Sequence, residues 1–183
     1  MNTALIQRTL AALSAWLLLG LAQAAEVPRD PDKFFFQETF GDYREELALA
    51  REEGKQGVLL FFQQADCPFC FRMKTTILNQ PGVQEYYRSH FRMFSIDVEG
   101  DLEITGFDGK PISEKDFAFF THQVKATPVF AFFDLDGALI ARHTGPTYDA
   151  AEFLLLGEFV AEGHYRTDNF TRFKRARRAQ AGG

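Results

Sequence analysis

The chain predicts an α/β fold, a sandwich of helices around a mixed sheet, and three observations carry that expectation. Strand-like and helix-like segments alternate through its middle. Its only two cysteines lie in Cys67-Pro68-Phe69-Cys70, which follows the apolar run Val58-Leu59-Leu60-Phe61-Phe62. Near the end, Asp134-Leu135-Asp136-Gly137 is a turn joining two strand-like segments into a hairpin.

The first 24 residues stand apart from that domain. Arg8 precedes the apolar stretch Leu10 to Leu21, and Ala22-Gln23-Ala24 supplies a small-x-small cleavage pattern, so a secretory signal peptide cleaved after Ala24 is expected. The apolar stretch is short of the roughly 20 residues that a spanning helix needs. Such a signal fits a bacterial periplasm or a eukaryotic secretory lumen equally. Cleavage leaves 159 of the 183 residues, enough for one domain with a real core. The whole chain has 20 Lys and Arg against 25 Asp and Glu, and Arg8 is the only charge in the leader. The remainder therefore stands at 19 against 25, a net charge of −6. An acidic chain of this kind is not a general nucleic-acid binder.

The elements then follow in order. Residues 25–33, rich in Pro and charge, read as a linker, and Phe34-Phe35-Phe36 as either a short first strand or a packing anchor. Asp42 caps a helix from Tyr43 to Glu53 that Gly54 stops. Val58 to Gln63 is a strand, and the helix behind the cysteines bends or restarts at Pro81-Gly82 before Val83 to His90. Phe91 to Val98 alternates as a strand does. The Asp108-Gly109 turn between Ile104 and Ile112 marks an inserted hairpin, and Ser113 with Asp116 opens a helix to about Val124. Pro128 to Phe133 and Ala138 to Arg142 are the closing hairpin strands, and Asp149 to about Gly163 is a last amphipathic helix. The domain spans 34–165, and the basic stretch 166–183, with Arg172, Lys174, Arg175, Arg177 and Arg178, reads as a solvated, disordered tail.

Two thiols at Cys-x-x-Cys spacing can open and close a disulfide. With Cys67 just before a helix and Cys70 one turn in, the sulfurs come within bonding distance. Pro68 suits the first helical position because it has no N–H to lose there. The unpaired N–H groups and positive dipole end of that helix favour a thiolate at Cys67, giving an exposed nucleophile and a half-buried resolving thiol at Cys70. A zinc site is disfavoured, because His90, His122, His143 and His164 are scattered and none forms a paired motif. A permanent bridge is poorly motivated, since so short a loop removes little chain entropy. The four histidines read as surface or satisfied residues, and the 21 Phe as an aromatic core with some exposed docking surface near Cys67.

The Cys67-Pro68-Phe69-Cys70 motif after a strand, Thr127-Pro128 opening a later strand, and the Asp134-to-Gly137 hairpin together resemble the thioredoxin superfamily over residues 34–163. The Phe-Phe-x-x-x-Asp-Cys-Pro-Phe-Cys context, Leu78-Asn79 and the inserted hairpin resemble periplasmic SoxW-type thioredoxins of bacterial sulfur-oxidation loci. The resemblance implies a three-layer α/β/α sandwich with a central mixed sheet and a small hairpin insertion. It implies a cofactor-free thiol–disulfide oxidoreductase in the periplasm that reduces disulfide-bearing protein substrates and draws electrons from a membrane thiol donor; the alternatives are a disulfide oxidase or isomerase, and a non-catalytic module in which the cysteine pair senses redox state or binds Cu(I). It also implies that Pro128 is cis and that Thr127 and Pro128 border the substrate, with Pro68 and Phe69 completing the motif. The absence of a second cysteine pair or a dimerisation segment favours a monomer.

The sequence departs from ordinary thioredoxins at two places. Phe61 stands where they carry a buried Asp, and Asp66 where they carry a Trp. Deprotonation of Cys70 then falls to water, Lys74 or another acid, and Asp66 either caps the cysteine helix or opposes the thiolate, capping being preferred.

Overall fold

The computed structural model describes residues 27–181, so the expected signal peptide lies outside the described residues. The chain enters through a short helix, α1 (Pro31–Phe34), capped by the Asp30 side chain on the Asp32 amide. Pro31 at its start and the Asp30 cap favour a helical turn over an extended strand. Phe35 and Phe36 behind it are buried, so the Phe run ends in a packing anchor and not in a strand. Arg29, just ahead of this helix, is tied down as well. The Arg29 amide donates to the Asn79 carbonyl, and its guanidinium reaches Gln84 and Glu85.

Helix α2 (Tyr43–Glu52), capped by Asp42, leads to strand β1 (Gly57–Gln63). Helices α3 (Pro68–Thr76) and α4 (Pro81–His90) follow, then β2 (Phe91–Asp97). The inserted hairpin is β3 (Glu103–Thr105) with β4 (Pro111–Ser113). Strands β5 (Val129–Asp134) and β6 (Leu139–Thr144) form the closing hairpin, and α5 (Ala150–Ala161) starts on an Asp149 cap.

The central sheet has the order β2-β1-β5-β6, with β1 parallel to β2 and antiparallel to β5, so it is mixed. Alternation along β1 sorts the core. Leu59 and Phe61 face the layer of α3, α4 and α5, while Val58, Leu60 and Phe62 face α2, the β3–β4 hairpin and Phe117. Helices cover both faces, the three-layer arrangement. A strand buried on both faces reads as an unbroken apolar run, as Val58 to Phe62 does.

Two segments differ from their sequence reading. After Ser113 only one α-helical turn forms (Glu114–Asp116). It widens into a π-helical turn, Phe117–Thr121, in which the His122 amide donates to the Phe117 carbonyl. This register buries Phe117 and Ala118 and turns Phe119 and Phe120 outward.

The basic stretch is a helix, α6 (Phe170–Ala181), where a solvated tail was expected. Phe173 is buried against Phe159, and Lys174 and Arg178 both pair with the buried Glu152 on α5. Arg177 pairs with Glu158 and Glu162, so acids of α5 and the residue just beyond it absorb most of the positive charge that made the stretch look solvated.

Candidate active site

Strand β1 ends at Gln63, and a four-residue loop turns the chain into α3. Cys67 is the N-cap, with extended backbone and a sulfur that accepts from the Cys70 amide at 3.1 Å, and Pro68 occupies the first turn. The two cysteines form a disulfide with Cα atoms 5.2 Å apart, the geometry the spacing predicts. Their burial is deeper than expected. Cys67 keeps 8% of its surface where an exposed residue was expected, and Cys70 keeps 1% where a half-buried one was. Both sulfurs pack into the aromatic layer that also holds Phe36, Phe61, Met73 and Phe130. The exposed residues of the motif, and the one after it, are instead apolar: Phe69 is 56% and Phe71 69% exposed, with Pro68 also on the surface.

Asp66 is exposed and does not cap the helix, because Cys67 itself holds that position; the capping reading is corrected. Phe61 is fully buried, stacked on Phe36 at 5.7 Å and tilted against Phe130 at 4.9 Å. Lys74, one turn beyond Cys70, pairs with Asp32 at 2.7 Å and lies 5.8 Å from the Phe36 ring centre.

The Thr127–Pro128 peptide bond is cis. Pro128 is buried and Thr127 half-buried. Val129 pairs with Phe62 in the β1–β5 ladder, so Thr127 and Pro128 sit at the sheet end from which the Cys67 loop departs. The Pro128 carbonyl accepts from the Gly145 amide at 2.8 Å, which brings the loop ahead of α5 to the same end. In that loop Thr147 is buried, Tyr148 is 77% exposed, and Arg72 of α3 holds both carbonyls.

Sequence reasoning missed the state of two histidines. His122 lies among Phe62, Phe107, Phe117 and Phe133, its Nε2 has no hydrogen-bond partner among the described residues, and burial pushes its imidazole down to about 4, with Arg142 adding to the shift. His143 is likewise depressed by burial. Neither spacing nor composition signals this, since the surrounding rings come from distant elements. One trio of possible metal ligands, Glu158, Glu162 and His164, occurs among the described residues, and Arg177 already pairs with both carboxylates.

A disulfide at the start of a helix that follows a central strand of a mixed sheet, in this sandwich, defines a thiol–disulfide oxidoreductase. The chain belongs to the thioredoxin-like domain family, whose model matches residues 43–161. It is similar to a thioredoxin from Thermus thermophilus, with 30% identity, 65% of this chain and 83% of that one covered, and a TM-score of 0.51. A thioredoxin-fold protein from Helicobacter pylori (23% identity, 69% and 82% covered, TM-score 0.56) and a DsbH oxidoreductase (20%, 69% and 83%, 0.52) share the fold. No curated protein matches the chain.

Proposed function

We propose that the protein is an exported, periplasmic reductase of protein disulfides, of the SoxW type, acting as a monomer and fed by a membrane thiol donor. The observation that carries the chemistry is the Cys67–Cys70 disulfide at the α3 N-terminus. In the reduced protein the unpaired amides of that helix end favour the Cys67 thiolate. The thiolate attacks a substrate sulfur, a mixed disulfide forms, and the other substrate sulfur leaves with the electron pair. Cys70 then attacks Cys67, the second substrate sulfur leaves as a thiolate and takes a proton, and the Cys67–Cys70 bond is restored. The leader-like N-terminus supports export. Thr127 and Pro128, at the same sheet end as the disulfide, are the backbone edge against which substrate lies, and the exposed Phe69 and Phe71 offer it apolar contact.

The direction of electron flow is tested by equilibrating the protein in a glutathione redox series, with Cys67→Ser as the blank. A potential near thioredoxin's, about −270 mV, is expected, and one near about −120 mV overturns reduction in favour of oxidation. Catalysis itself is tested by trapping with Cys70→Ser: covalent protein adducts at Cys67 are expected, and their absence overturns the enzymatic reading.

A further inference from the structure

We propose that Lys74, tethered by Asp32 of the N-terminal segment, is a positioning residue that lowers the pH at which Cys70 becomes a thiolate. The inference rests on the proposed oxidoreductase chemistry and assigns the group that makes its second step possible at neutral pH. In that step Cys70 loses its proton to solvent and its sulfur forms a bond to Cys67, while the Cys67–substrate bond breaks and the substrate sulfur leaves with the electron pair. Cys70 lies among apolar side chains, and burial of this kind opposes the thiolate. The adjacent strand offers no carboxylate to take the proton, because its position is filled by the buried ring of Phe61.

Three features of the structure point to Lys74. It follows Cys70 by four residues, so both lie on one helix face with Cβ atoms about 6 Å apart. Its side chain is only 22% exposed and is fixed at its tip by the 2.7 Å contact with Asp32. Its ammonium also sits against Phe36, the ring stacked on Phe61, at the edge of the cluster that contains Cys70.

Both Asp32 and Phe36 come from the segment ahead of residue 43, outside the stretch that the family model matches. That segment is held down independently by Arg29 on Asn79, Gln84 and Glu85. Other charges around the cysteine helix are committed elsewhere or lie outside the layer. Arg72 holds the Thr147 and Tyr148 carbonyls, Asp66 is exposed in the loop, and Arg29 and Asp30 line a groove of about 590 Å³ on the solvent side of Lys74. A unit charge carried one helical turn from the thiol, through an interior of effective dielectric about 20 and partly offset by Asp32, shifts that thiol by on the order of one pH unit.

The test follows the resolving step alone. Full-length reduced protein carrying a thionitrobenzoate adduct on Cys67 is mixed across a pH series, and release of the chromophore is timed. Lys74→Met is expected to move the midpoint up by about one unit, with release roughly tenfold slower at pH 7, and Lys74→Arg to restore most of it. A Lys74→Met profile that overlies the parent, or one slowed equally at every pH, overturns the role of Lys74. Failure of the unaltered protein to release the chromophore at any pH overturns the underlying oxidoreductase reading instead.

Discussion

Arg72 donates to the carbonyls of Thr147, at 2.9 Å, and Tyr148, at 2.5 Å, so one side chain ties the cysteine helix to the loop ahead of α5. The same loop is joined to Pro128 through Gly145. Arg72→Met keeps the stem and removes the donors, and is expected to destabilise by about 1–3 kcal/mol. Turnover of protein disulfides should fall further than that of a small disulfide reagent, because the loop shapes the protein-facing side. Equal losses on both substrates would show that the tie serves stability alone.

Arg92 forks between Glu46 and Glu53 from strand β2, with Glu46 only 5% exposed. Arg92→Met leaves that carboxylate buried without a cation and is expected to cost about 3–5 kcal/mol. Adding Glu46→Met should recover much of the loss, read from urea midpoints at constant slope.

Acid sensitivity should trace in part to His122. Its folded value of about 4 lies below the ordinary 6.5, so the unfolded chain binds the proton first. Stability from this group is complete above about pH 6.5 and drains away as pH falls toward 4, by about 2–3 kcal/mol in all. His122→Phe keeps the aromatic packing and should flatten that part of the stability profile. A variant whose loss between pH 7 and pH 4 matches the parent's would refute the assignment.

Gly57 lies where β1 is paired on both sides, to Phe91 and to Asp134. A Cβ there would fall 1.9 Å from the Phe133 carbonyl oxygen, a backbone atom that cannot move without parting β1 from β5. Gly57→Ala is expected to be among the most damaging single changes, above about 3 kcal/mol, in thermal unfolding.

Strand β1 and the placement of the cysteines at the start of a helix were legible in the sequence because both are local. An apolar run and a Cys-Pro-x-Cys turn carry their own signals. The Phe34-Phe35-Phe36 run was ambiguous, since three apolar residues have no period, and Asp30-Pro31 decided the outcome. The basic stretch misled because its partners lie elsewhere: Glu152 is 22 and 26 residues from Lys174 and Arg178. The π-helical turn was hidden too, since Phe117 to Thr121 gives no cue for one extra residue in the turn. Cys67 is deeper than its cap position alone implies, because the aromatic layer closes around it from distant segments.

Phe35 and Phe36 at one end, and Phe173 at the other, belong to the same aromatic layer as the disulfide, although all three lie outside residues 43–161. The redox-active side is therefore covered by segments both ahead of and behind the matched stretch. A fragment trimmed to the family boundaries would be a different material, with its cysteine layer opened to water at two places. Contacts from outside the matched stretch reach from Arg29 on Gln84 to Arg178 on Glu152, and truncation from either end is expected to disturb the chemistry before it disturbs the sheet.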